Sequence, residues 1–133
     1  RVRDLVLIKN NRLAAYFNKE AYLLGKRRVT RFGFLSDNLA AHFGLLQPTN
    51  IRNSVRMARG LITELSIANR SSGRSAMLIL GYPSLKSPTL TDKERSAIED
   101  YTEELGLEAN EFKVKFEGTD NDGDACKALM AAI

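Results

Sequence analysis

The side chains in this chain best suited to binding chemistry are arginines, and they are concentrated in the first 80 residues. Residues 1–80 carry 14 Lys and Arg against four acidic residues, a net charge of +10, whereas residues 81–133 carry six against 12, a net of −6. Arg outnumbers Lys 11 to three in the basic part. Because the guanidinium fork fits phosphate oxygens and guanine edges, this pattern predicts a nucleic-acid partner.

A simpler interpretation of the same charges stays open. The basic part and the acidic part could attract each other inside one fold and leave an ordinary solvated surface, since surplus charge is an indirect argument about partners.

Residues 49–59 hold the most specific pattern of cations. Apolar side chains recur at Ile51, Val55, Ala58 and Ile62, a spacing of three and four that predicts a helix with one buried stripe. The opposite face carries Asn50, Arg52, Asn53, Arg56 and Arg59. In the major groove, Asn50, Asn53 and Arg56 would read base edges. Arg52 and Arg59 would hold phosphates.

Two further groups of cations flank this segment. A basic cluster follows Gly25, and a turn at residues 69–75 carries two more arginines. We expect these side chains to add contacts to the backbone of the nucleic acid. The two groups are Lys26, Arg27, Arg28 and Arg31, and Arg70 with Arg74.

Catalytic and metal-binding chemistry has little support in the sequence. His42 and Cys126 are the only residues of their types, so neither a Cys/His zinc site nor an intrachain disulfide can be built. Asp120, Asp122 and Asp124 lack the glutamate that an EF-hand needs at the end of its loop, and are better interpreted as a turn and helix cap. No glycine-rich phosphate loop is present. We therefore expect no enzyme activity, no metal and no cofactor.

Three segments in order resemble the winged helix-turn-helix regulators of the MarR type over roughly residues 37–105. They are Arg59-Gly60-Leu61-Ile62, the run from Ser72 to Leu80, and Leu90-Thr91-Asp92-Lys93-Glu94-Arg95. The resemblance implies a recognition helix at residues 49–59 in the major groove and a basic wing at about 69–75. Arg74, with Arg70 beside it, would enter or flank the minor groove. It further implies a homodimeric transcriptional regulator that binds double-stranded DNA.

The elements that must position these residues are mainly helical. The patterns predict helices over residues 3–24, 31–44, 49–59, 91–106 and 125–133, and strands over residues 75–80 and 111–116. Thr91-Asp92-Lys93-Glu94 has the spacing of a capping box at the start of the fourth helix. After Gly60 the chain could either turn into a strand or continue one long helix over residues 49–69, because Gly inside a helix costs only about 1 kcal/mol.

We therefore expect a single domain over residues 1–133, mainly α with a small β component (α+β). Its simplest form is a winged helix with an added C-terminal strand and helix, and the alternative is an all-α helical bundle. The predicted function is sequence-specific binding of double-stranded DNA. The alternatives are a non-specific nucleic-acid packaging or RNA-binding protein and a helical protein-interaction module. No stretch is apolar enough to span a membrane, and a cytoplasmic location fits the cysteine usage.

Overall fold

A computed structural model describes residues 2–23 and 28–133 of the chain. Within them, helices and strands alternate along most of the sequence. The helices are α1 (Val2–Lys9), α2 (Ile51–Ser72), α3 (Asp92–Glu111) and α4 (Asp122–Ala132), and short 3-10 turns span Asn11–Tyr16 and Pro48–Asn50. The strands are β1 (Phe17–Leu23), β2 (Arg28–Leu35), β3 (Leu39–Leu45), β4 (Ser75–Gly81) and β5 (Lys115–Thr119).

The five strands form one mixed sheet in the order β1-β2-β3-β4-β5. β1, β2 and β3 are antiparallel neighbours, whereas β3, β4 and β5 are parallel. Parallel neighbours need a long crossover, and α2 and α3 supply the two crossovers. The carboxyl ends of β3, β4 and β5 therefore meet at one edge of the sheet.

Helices cover both faces of the sheet and form two apolar cores. On one face α2 packs on β3 and β4, with Val55, Ile62 and Leu65 against Leu78 and other strand residues. α3 completes this layer. On the other face α1 and α4 pack together over a second core that contains Val6, Phe34, Ile79 and Leu129. The result is a three-layer arrangement of helices, sheet and helices.

The sheet opens between β2 and β3. These strands are register partners at only two positions, Phe34 with Ala41 and Leu35 with Ala40. The ring of Phe43 occupies the space beside Gly33, where an added Cβ would lie 2.6 Å from the ring. Gly33 is thus required for the close approach of this ring. The β1–β2 hairpin diverges from β3 beyond this point.

The winged-helix prediction is wrong, and so is the all-α alternative, because the molecule is an α+β fold built on a five-stranded mixed sheet. The predicted helix over residues 3–24 ends at Lys9, and the predicted helix over residues 31–44 is replaced by strands. Segments 17–23 and 28–35 are rich in aromatic and β-branched residues, which favour strands. β3 is buried on both faces for most of its length, so its apolar run shows no strand alternation.

The predicted wing at residues 69–75 is absent for a local reason. α2 passes through Gly60 and continues to Ser72, so the long-helix alternative for this segment is confirmed. Gly73 then ends the helix in the left-handed conformation, with a φ of 72°, and donates its N–H to the Asn69 carbonyl. The chain next enters β4, which lies within the sheet and not at a projecting hairpin.

The C-terminal half follows the sequence prediction more closely. Thr91 accepts the N–H of Glu94, and the Glu94 carboxylate accepts the N–H of Thr91, which is the predicted capping box. α3 runs past Gly106 to Glu111, however, and the following strand is displaced to Lys115–Thr119. The predicted strand over residues 75–80 is confirmed as the core of β4.

Candidate nucleic-acid interface

Arg52 and Arg56 are the free cations of the amino-terminal half of α2. They lie four residues apart and therefore one helical turn from each other on the exposed side of the helix. Neither side chain forms an ion pair or hydrogen bond with any described residue. The first turn of α2 also contains no acidic residue. The two guanidinium groups are thus available to an anion from solvent.

Two asparagines that were predicted to read bases lie near these arginines. Asn50 is the N-cap of α2 but makes no side-chain capping hydrogen bond. Asn53 is exposed, and its amide nitrogen lies 3.7 Å from the sulfur of Met57. The amino-terminal half of α2 therefore does bring together Asn50, Arg52, Asn53 and Arg56 at one exposed end of the helix.

Arg59, in contrast, is bound within the fold. Its Nε donates to Glu108 Oε2 at 2.9 Å, and its Nη2 donates to Glu108 Oε1 and to Glu104 Oε1, each at 3.0 Å. The hydrogen bond to Glu108 raises the pKa of Arg59 above its ordinary value. The charge of Arg59 is therefore neutralised by acidic residues of α3. This contact is what we expect if the basic and acidic parts of the chain attract each other within one fold.

The arginines predicted to form a wing lie at the other end of α2. Arg70 is exposed but is separated from Arg52 by 18 residues, or about 27 Å of helix. Arg74 Nε donates to the Ser36 carbonyl at 2.7 Å and ties the start of β4 to the β2–β3 turn. The structure therefore does not bring Arg70 and Arg74 into one site with Arg52 and Arg56.

The structure describes only part of the basic cluster that follows Gly25. Lys26 and Arg27 lie outside the described residues, and Arg28 begins β2. Arg31 forms an ion pair with Glu20 across the β1–β2 hairpin. An additional cation, Lys19, is exposed on β1, and its ammonium lies 5.9 Å from the centre of the Tyr16 ring. Lys19 was not predicted as a candidate because its segment was expected to be helical.

His42 is a buried residue of β3. Its ring stacks on Phe32 with the ring centres 4.9 Å apart, and Nε2 lies 2.9 Å from Glu64 Oε1. The alignment is too poor for a hydrogen bond at this nitrogen. Burial lowers the pKa of His42, and the nearby Glu64 carboxylate opposes that shift. The imidazole is therefore held neutral near pH 7.

A cleft of about 700 Å³ lies where the hairpin diverges from β3. Phe17, Phe43, Leu45 and Tyr82 give it apolar walls, and polar groups such as Asn121 line its rim. It adjoins the carboxyl ends of the parallel strands, where ligands commonly bind in open α/β sheets. This cleft was not predicted, because the parallel pairing of β3, β4 and β5 was not recognised from the sequence.

The acidic turn before α4 serves as a helix cap. Asn121 Oδ1 accepts the N–H of Asp124 at 2.7 Å, and the Asn121 amide donates to both Asp120 and Asp124 at 2.9 Å. Within residues 2–23 and 28–133 no group of His, Cys, Asp and Glu is arranged to hold a metal ion. The predicted interpretation as a turn and cap fits these contacts.

The fold and charges define an α+β protein with an exposed pair of arginines on one crossover helix. No protein-family model matches the chain, and no curated protein or solved structure is significantly similar to it. In the part of the chain that the structure describes, no helix combines the length and hydrophobicity needed to cross a bilayer.

Proposed function

We propose that this protein binds the phosphate backbone of nucleic acid through the amino-terminal half of α2. The observation that carries the proposal is the pair Arg52 and Arg56, one turn apart, exposed and without an acidic partner among the described residues. Guanidinium groups in this arrangement can each donate to phosphate oxygens on one strand.

The distribution of acids supports the same surface. Three of the four acidic residues in the basic half contact cations or imidazole elsewhere: Asp4 lies 3.8 Å from Arg3, Glu20 pairs with Arg31, and Glu64 lies against His42. None of these contacts involves Arg52 or Arg56. These three carboxylates are therefore engaged away from Arg52 and Arg56.

The proposed contact is with the phosphate backbone of the nucleic acid and does not depend on the base sequence. Sequence-specific reading was predicted from a winged helix, and that scaffold is absent. α2 is a crossover helix whose other side is buried in the core, and its arginines face outward as phosphate ligands would. We propose duplex DNA as the ligand.

The proposal is tested by titrating a labelled random-sequence duplex with the protein and following fluorescence anisotropy. Two phosphate contacts predict a slope of about −2 in a plot of log K against log of the salt concentration. Affinity should then fall roughly 15-fold between about 50 and 200 mM salt. Absence of binding at the lower salt concentration would overturn the proposal. Tighter binding of single-stranded RNA would change the ligand class.

The cleft supports a second candidate function, the binding of a small apolar molecule. Its apolar walls and its place beside the strand ends are typical of ligand pockets. The dye 1-anilinonaphthalene-8-sulfonate serves as a probe. We expect the dye to bind the native protein saturably and the Leu45→Asp variant not to bind it, because Leu45 lines the cleft. Leu45 is 66% exposed, so the fold should tolerate the change. Dye binding unaffected by this change would contradict the candidate.

A further inference from the structure

The outer edge of β5 is an unpaired sheet edge with a defined pattern of backbone groups. β5 pairs with β4 on one side and is the last strand of the sheet. The Thr119 carbonyl accepts the N–H of Tyr82 at 3.0 Å, so Thr119 directs its backbone groups toward β4. Because these directions alternate along a strand, Glu117 and Lys115 do the same. Phe116 and Gly118 therefore direct their N–H and carbonyl groups outward.

The side chains along this edge carry opposite charges two residues apart. Lys115 and Glu117 share one face of β5, the face that α4 covers, and both are exposed. Neither forms an ion pair with a described residue. Beside them, β5 and α4 enclose a groove of about 700 Å³. Small side chains of α4, including Ala128, Ala131 and Ala132, line its far wall.

We propose that two copies of this chain associate through antiparallel pairing of their β5 edges, with the two-fold axis at Phe116. In this register each Phe116 exchanges two backbone hydrogen bonds with the Phe116 of the second copy. Lys115 of each copy then lies opposite Glu117 of the other. The two sheets join into one continuous sheet of ten strands, and the interface is the same patch on both copies.

The charges select this register. Centring the axis on Glu117 would place like charges opposite each other, and cross-strand like charges are destabilising. The Phe116 register instead places two opposite-charge pairs across the interface and uses the outward backbone groups of Phe116.

A second copy fits this edge better than an unrelated strand does. Charged residues on an edge usually prevent association, since a partner strand rarely complements them. When two copies of β5 run antiparallel, Lys115 of each copy can lie opposite Glu117 of the other, so the charges of this edge attract a second copy of the same strand. In β1, at the other edge of the sheet, Asn18 has a φ of 51° and no register partner in β2.

Charge reversal tests the proposal directly. Mass is measured by sedimentation equilibrium at about 0.15 M salt, where the Debye length is about 8 Å and repulsion between the acidic α3 helices is partly screened. The wild-type protein should dimerise. Lys115→Glu and Glu117→Lys should each raise the dimer Kd about tenfold or more, because each places two like-charged pairs across the joint.

The two variants also control for each other. An equimolar mixture of Lys115→Glu and Glu117→Lys should form heterodimers near wild-type affinity, and the double variant should recover the homodimer. Circular dichroism verifies that each exposed substitution leaves the fold intact. A monomeric wild-type protein, or a dimer indifferent to both single changes, would overturn the proposal. So would failure of the mixture to associate. The outcome is independent of nucleic-acid binding, because neither Lys115 nor Glu117 belongs to the proposed contact surface on α2.

Discussion

Arg59 on α2 forms a bidentate ion pair with the carboxylate of Glu108 on α3, with Nε at 2.9 Å and Nη2 at 3.0 Å from its oxygens. The two residues belong to the oppositely charged parts of the chain, and this contact joins those parts within one fold. Because Nη2 also reaches Glu104, the three side chains form a small network at the surface.

A double-mutant cycle on Arg59→Ala and Glu108→Ala measures this contact. We expect a coupling free energy of about 0.5–1 kcal/mol in urea unfolding, since the pair is bidentate but partly exposed. The coupling should shrink at high salt. A value indistinguishable from zero at low salt would show that α2 and α3 are held together by their apolar contacts alone.

Gly60→Ala should stabilise the protein by about 1 kcal/mol. Gly60 lies inside α2, has no positive φ and has nothing within 4 Å of an added Cβ, so only helix propensity changes. Chemical denaturation measures the effect. Because Gly73 has a φ of 72°, Gly73→Ala is the matched control and should destabilise instead. Loss of stability on Gly60→Ala would contradict the continuous helix.

Gly33→Val should destabilise the protein by about 1–3 kcal/mol, because its side chain would overlap the ring of Phe43. Thermal unfolding followed by circular dichroism gives the change in free energy. Combining Gly33→Val with Phe43→Ala should produce less destabilisation than the sum of the two single changes. Strict additivity would mean that the two residues are not in contact.

Stability should fall as the pH drops below about 6.5, the ordinary pKa of histidine. Burial lowers the pKa of His42 in the folded protein, so the unfolded chain binds the proton first and folding loses free energy in acid. His42→Phe keeps the stacking on Phe32 and removes the titration. The difference in unfolding free energy between wild type and variant should therefore change between about pH 7.5 and 5.5. A constant difference would contradict a lowered pKa.

Local signals in the C-terminal half were sufficient to predict several elements. The capping box at Thr91 and the apolar run of β4 depend on residues close in sequence, and both were found where predicted. The β1–β2–β3 meander was missed because strand pairing links distant residues. Moreover, β3 is buried on both faces and lacks the alternation by which strands are recognised.

The candidate site was predictable to the same extent. Exposure of Arg52 and Arg56 follows from the helical period of Ile51, Val55 and Ala58, which the sequence displays. The partners of Arg59 and Arg74 do not follow from it, because Glu108 and Ser36 are 49 and 38 residues away along the chain. Only the tertiary structure separates the free arginines from the bound ones.

The most direct test of the proposed function compares Arg52→Ala/Arg56→Ala with Lys127→Ala in the duplex titration. Lys127 is exposed on α4, across the sheet from α2, and controls for loss of positive charge in general. The double variant should bind more weakly and lower the magnitude of the salt slope by about 2, roughly 1 for each arginine, whereas Lys127→Ala should match the wild type. An unchanged affinity and salt slope in the double variant would contradict nucleic-acid binding by this end of α2.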